Sequence, residues 1–464
     1  MVARELEQNE QQETAWCSGR RFRILAWTAI VIPPIFFYVL AFRSLSRLPF
    51  LDDYDAPLSF LLKWKRERGL QHLVEIFTWQ HNEYREWFLN SIFGAQYLII
   101  GHVDIRAIAI LGNMFVLLIL GVLYLVWRRK ESSRDFTLLA FLPVSWMLFQ
   151  LQYASAMNVP MQSLQHFPAI VFGMLACLLA SMKGRPAFAG ALCSLFLAVA
   201  SSGNGLFIIP VGTILLLQQR KYMRLAVWVA TGAAICFLYF DGYNFNASQT
   251  HADHSLLSSF KNLSPAYGAS FLGSIATATN PVPAILLGVL LFVAFIFATR
   301  DRLFESNPAL YYSALFFFVT ALAVSGLRSD GGLITALGSR YRINSTMIVI
   351  LMYLYLMDKY HDRIVNWQQP MATTALCVIG AILIGFNLAS DRAGNRYLVM
   401  RRAKLEAAIL RWERHEPPQV TNVEADDDYT ARSEMKGYYQ PRVAVLSESI
   451  REGIYSLPNL PDQH

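Results

Sequence analysis

The stretch that decides the fold is RILAWTAIVIPPIFFYVLA, Arg23 to Ala41. After its first residue it carries no charge, and about 20 apolar residues in a helix suffice to cross the hydrocarbon core of a bilayer. Arg20 and Arg21 precede it, and no small-residue cleavage site follows. It is therefore expected to be a retained membrane anchor and not a signal peptide. Working outward, similar apolar runs recur at roughly 106–127, 136–151, 167–182, 187–201, 205–219, 224–240, 282–299, 308–326, 343–358 and 371–389. The sequence thus predicts an all-α fold, a polytopic transmembrane helix bundle of about 11 spans.

Composition agrees. Of 464 residues, 55% are hydrophobic and 16% are charged, which is less charge than a soluble domain carries. The net charge of +7 is not a nucleic-acid signal, and no nucleic acid is expected as a partner. The Lys and Arg residues sit in short clusters between apolar runs, as membrane topology requires. The five cysteines (Cys17, Cys177, Cys193, Cys236 and Cys377) form no CxxC pair and imply no disulfide framework.

Orientation follows from those clusters. Arg20, Arg21 and Arg23, then WRRKESSR, Lys183 and Arg185, Arg220, Lys221 and Arg224, Arg300 and Arg302, and Lys359 and Arg363 fall on one side. The alternate connections are poor in positive charge: 152–166 has no Lys or Arg, and 241–281 has only Lys261. The N-terminus is therefore expected in the cytoplasm. Three parts follow: a cytoplasmic segment 1–22, a multi-span membrane domain 23–389 with a first outside loop at 42–105, and an extracytoplasmic tail 390–464. The expected location is a bacterial inner (plasma) membrane, with membrane lipids as partners.

The first outside loop opens with RLPFLDDYDAPLSF, Arg47 to Phe60. Asp55 or Ala56, just before Pro57, is explained as a helix-start residue. Asp52 and Asp53 lack that explanation, since adjacent carboxylates repel and one cap is enough. The run that follows, near 57–76, places Leu58, Leu61, Leu62, Leu70, Leu73 and Ile76 near helical spacing, so an amphipathic helix lying in the interface is expected, divided at Gly69. Next comes TWQHNEYRE, Thr78 to Glu86, dense in polar groups; on a helix His81 would face Arg85, and Asn82 would face Glu86. Its plain explanation is a solvated loop with Trp79 as an interfacial anchor.

Other outside edges offer fewer signals. Arg340 and Arg342 stand at the mouth of the tenth run, where positive charge is avoided, with Arg328 before them. They either snorkel to headgroups or hold an anion such as phosphate in forked geometry. The 152–166 connection offers Tyr153, Asn158, Gln162, Gln165 and His166 as neutral hydrogen-bonding groups. HADH, His251 to His254, shows no further metal ligands, and Asn246 and Asn262 begin N-x-Ser triplets. No Gly-rich phosphate loop, nucleophile elbow or HExxH occurs.

A cytoplasmic N-terminus, the acidic DDYD motif at Asp52 to Asp55 beyond the first span, and the supporting QHNEYR at Gln80 to Arg85 resemble the GT-C superfamily of integral membrane glycosyltransferases. The resemblance implies an enzyme that moves a sugar from a polyprenyl-phosphate-linked donor to an extracytoplasmic acceptor, with inversion. It implies Asp52 or Asp53 as base or metal ligand, with Mg²⁺ or Mn²⁺ as the ion that such oxygens suit. His81, Asn82, Glu83, Arg85, Arg328, Arg340 and Arg342 are the residues expected to bind substrate. Two other readings stay open: a transporter or flippase for a lipid-linked saccharide, and an O-antigen polymerase or ligase-like protein.

Overall fold

The computed structural model describes residues 20–50, 52–67, 69–82, 84–127, 134–244, 263–360, 369–414 and 444–458. Glu83, the HADH stretch, Asn246, Asn262, Cys17 and the acidic run at 424–429 lie outside the described residues. Among the described residues the chain is helical and no strand forms. In order the helices are α1 (Arg20–Ser44), α2 (Ser59–Arg66), α3 (Gln71–Thr78), α4 (Trp87–Ile100), α5 (Ile105–Trp127), α6 (Arg134–Leu148), α7 (Pro160–Ser181) and α8 (Arg185–Ser201), followed by α9 (Ile208–Gln218), α10 (Tyr222–Phe240), α11 (Pro265–Leu272), α12 (Pro281–Arg300), α13 (Pro308–Arg328), α14 (Arg342–Lys359) and α15 (Gln369–Glu413), with short 3₁₀ and α turns between them.

Six helical stretches among the described residues are long and apolar enough to cross a membrane: Arg23–Ser44, Ile105–Trp127, Pro160–Ser181, Tyr222–Phe240, Pro281–Arg300 and Pro308–Gly331. The chain is an integral membrane protein built as a helix bundle. Other expected spans are present as helices of different dimensions. The pair α8 and α9 have 17 and 11 residues, and at about 1.5 Å per residue the second falls well short of a bilayer core. The run at 371–389 is part of the 45-residue α15. That helix continues without a break into what reads in sequence as the tail.

Close packing fixes the frame beneath the first loop. A Cβ on Gly112 of α5 would stand 2.1 Å from Ser163 Oγ, so only glycine lets α5 and α7 approach this closely. At Gly394 of α15 a Cβ would lie 2.3 Å from Leu151, which seats α15 on the turn after α6. Asn387 of α15 donates to the carbonyls of Trp146 and Phe149 at the end of α6, at 3.0 and 2.8 Å.

The first loop has a core of its own. Leu48, Leu58, Phe60, Leu61, Leu62 and Trp64 are buried together with Val103, Ile105, Met161 and Leu164. This corrects the expected interfacial helix near 57–76. Its first half, α2, faces protein and not lipid, because α4, the start of α7 and the chain's far C-terminal residues cover it. Beyond Gly69, in a left-handed conformation at φ +64°, α3 does expose Leu73 and Val74, each 56% accessible. The polar groups of 152–166 are likewise inside: Tyr153, Asn158, Gln162 and Gln165 are buried within helical structure, so this stretch is not the wet loop its composition suggests.

Candidate functional site

The acidic motif folds as a helical turn that widens. Pro57 has no N–H to return to the carbonyl of Asp53, and Tyr54–Leu58 adopts the π form. The carbonyl of Tyr54 takes instead the Ser59 backbone N–H and, at 2.9 Å, the Ser59 hydroxyl. Such π turns concentrate at functional positions. Asp55 therefore lies inside a turn and does not cap a helix as expected, since helical structure already begins at Asp52.

The two remaining aspartates separate. Asp53 is buried; its Oδ2 accepts the Phe50 N–H at 3.0 Å and its Oδ1 accepts the Met161 N–H at 3.3 Å. Met161 is the second residue of α7, so Asp53 satisfies an otherwise unbonded donor at a helix N-terminus, where negative charge is favoured. Burial nevertheless pushes its carboxyl up to about 7, against the two N–H bonds and the Arg401 guanidinium, which pull it down. Asp52 keeps a side chain 27% accessible and stands 4.0 Å from His81 Nε2. Of the expected pair, Asp52 is the one that faces outward. Asp53 holds the backbone that carries it.

Glu86 is the member that sequence reading did not assign. It is buried, both its carboxyl oxygens lack a hydrogen-bond partner among the described residues, and Asp52 and Asp53 act on it electrostatically. Burial first, and the two aspartates second, push its carboxyl well above the usual range. Its spacing four residues after Asn82 is the one signal in the sequence, and it points to a face shared with Asn82 on a helix. The stretch in fact turns back on itself.

That turn is a tight hairpin. His81 and Tyr84 exchange backbone bonds at 3.0 and 2.9 Å, and Asn82 takes the left-handed conformation at φ 49°, which Asn tolerates better than most residues. Asn82 Nδ2 lies 3.0 Å from His81 Nε2. Gln80 fastens the hairpin to the end of the α10 region, with bonds to the Asn244 carbonyl at 2.8 Å and from its N–H at 2.9 Å.

Arg85 has structural work. Its guanidinium donates to the carbonyls of Phe77, Leu238 and Asp241 and so closes the C-terminus of α10. Arg342, also buried, donates to the carbonyls of Leu337 and Gln152, at 3.1 and 3.4 Å. Arg328 and Arg340 are placed differently. Arg328 donates to the hydroxyls of Tyr341 and Tyr84, Arg340 lies over the Tyr341 ring at 5.1 Å, and both act electrostatically on His166 and Tyr267.

Tyr84 therefore joins two groups. On one side of the hairpin are Asp52, His81 and Glu86; on the other are Arg328, Arg340 and their tyrosines. A carboxylate, Asp52, and a guanidinium, Arg328, thus each lie against the same hairpin. Among the described residues no three His, Cys, Asp or Glu side chains stand close enough to hold a metal ion. Each Asp53 oxygen accepts one backbone N–H and keeps a second lone pair.

No family model, curated protein or solved structure matches the chain.

Proposed function

We propose that this outer face transfers a glycosyl group from a polyprenyl-phosphate-linked donor to a hydroxyl acceptor. The reading is carried by the His81–Tyr84 hairpin, whose residues touch Asp52 on one side and Arg328 on the other. In the step, Asp52 takes the acceptor O–H proton while the acceptor oxygen bonds to the anomeric carbon. The bond from that carbon to the phosphate oxygen breaks. Its electron pair leaves on the lipid phosphate, whose charge Arg328 and Arg340 neutralise. A single displacement inverts the anomeric centre. His81 orients Asp52, and Asp53 and Arg85 hold the two ends of the loop in place.

The test uses short-chain polyprenyl-phosphate sugars as donors and measures transfer by the protein in nanodiscs. Asp52→Asn is expected to lower transfer at least about 10²-fold, the usual scale for losing a general base, with donor binding retained. Undiminished transfer by that variant overturns the reading.

One observation favours a transport reading instead. Asp391 of α15 is 3% exposed, takes the Leu151 N–H on Oδ1 at 2.9 Å, and has no partner for Oδ2 among the described residues. Ionisable groups buried within membrane bundles mark transport paths, and Asp391 lies just past the apolar run 371–389, against the end of the 136–151 run. Loss of saccharide-lipid movement in Asp391→Asn vesicles, with Asp52→Asn unaffected, is the result that reading requires.

A further inference from the structure

The chain's last described residues return to the first outer loop. Residues 444–451 are helical, and Leu446, Ile454 and Tyr455 are buried in the outer core beside Leu48, Leu58, Leu61 and Trp64. Val103 N–H donates to the Ile454 carbonyl at 2.7 Å, and the Tyr455 hydroxyl donates to the Arg47 carbonyl at 3.0 Å. Tyr455 is also within electrostatic reach of Asp53 and Tyr54. This segment thus contacts the acidic motif's approach at Arg47 and its wall at Val103.

Its outer side is fastened by charge. Lys65 pairs with Glu452 and Arg66 with Glu448, and all four side chains are a third or more exposed. Exposed pairs contribute little and weaken with salt, so they set register while the three apolar side chains supply the hold. The parts of such an attachment are those of a short peptide seated in a groove. The segment belongs to the same chain as the loop, so its seating is intramolecular.

We propose that residues 444–457 are a detachable latch, an acidic amphipathic peptide carried by the chain itself, whose seating on the first outer loop holds the Asp52–Asp53 turn in place. Released, the latch exposes Leu61, Trp64 and Val103 and removes the cover from the turn that Asp53 ties to α7. The inference rests on the packing of the loop and is independent of which reaction the face performs.

The experiment uses the full chain in nanodiscs and hydrogen exchange of three regions: residues 47–66, residues 101–104, and, as the control, the parts of α5 and α7 outside the loop core, residues 115–123 and 167–177. Ile454→Asp with Tyr455→Ala is expected to raise exchange in the two loop regions at least tenfold and to leave the control unchanged. Added synthetic peptide of residues 444–464 restores protection. A second variant, Lys65→Glu with Arg66→Glu, gives a smaller rise that Glu448→Lys with Glu452→Lys reverses. Unchanged loop exchange makes the segment a passenger and overturns the proposal. Exchange that rises throughout the control, or loop protection that the peptide does not restore, makes it an integral part of the fold and also overturns it.

Discussion

Replacing Asp53 by Asn should remove a specific pH dependence of stability. In the folded chain the Asp53 carboxyl is held up to about 7, against an ordinary value of 3.8. Below pH 3.8 the carboxyl is protonated both folded and unfolded, and the stabilisation is complete. As pH rises from there the unfolded chain releases the proton while the folded chain keeps it, so stability falls until the folded carboxyl itself ionises near pH 7. At 1.36 kcal/mol per pH unit, the interval from 3.8 to about 7 amounts to about 4 kcal/mol. Above that the dependence on Asp53 is flat. Asn carries no such linkage. It also loses one acceptor, for either the Phe50 or the Met161 N–H, a pH-independent cost of about 1–3 kcal/mol. Wild type and Asp53→Asn should therefore diverge, with the variant gaining about 4 kcal/mol on wild type between pH 4 and pH 8. The assay is SDS-induced unfolding in mixed micelles at several pH values, in a Glu86→Gln background so that the neighbouring buried carboxyl does not titrate alongside. Parallel pH profiles for the two proteins would refute the argument that burial governs Asp53.

Other expectations are simpler. Gly112→Val should cost about 1–3 kcal/mol in the same unfolding assay, since overpacking forces α5 and α7 apart, and Ser163→Ala should recover part of that. Arg85→Leu should leave the Leu238 and Asp241 carbonyls short of a donor and destabilise by about 1–3 kcal/mol, with exchange rising first at the end of α10. Arg328→Ala and Arg340→Ala should each weaken binding of a polyprenyl phosphate, measured by calorimetry in nanodiscs, by roughly tenfold or more; unchanged affinity in both returns these residues to a purely structural role.

The membrane helix bundle was legible from Arg23–Ala41 and the runs like it, because apolar length is a local property. The break at Gly69 was legible too. The division of labour within the DDYD turn was not. Asp53 is explained by the N–H of Met161, and a cap supplied from so far along the chain leaves no trace in local spacing. Neither a solvated loop nor a helical register across Thr78–Glu86 singles out the Glu86 carboxyl, which is buried only because the chain turns back at Asn82. Arg85 and Arg342 read as outward cations, yet backbone carbonyls at the ends of neighbouring elements claim them. Leu58, Leu61 and Leu62 have the spacing of a lipid-facing stripe, and such a stripe is the same whether lipid or protein covers it.

The return of residues 446–455 to the core around Leu48 and Trp64 also orders the protein's biogenesis. The first loop is synthesised early, and side chains that complete its core come about four hundred residues later. Contacts of such long range form slowly, and unfilled apolar surface invites aggregation or proteolysis. A chain that stops before Leu446 can insert every span and still display an unfinished outer face. The surface that carries Asp52 is thus finished only once residues 446–455 have been made and seated.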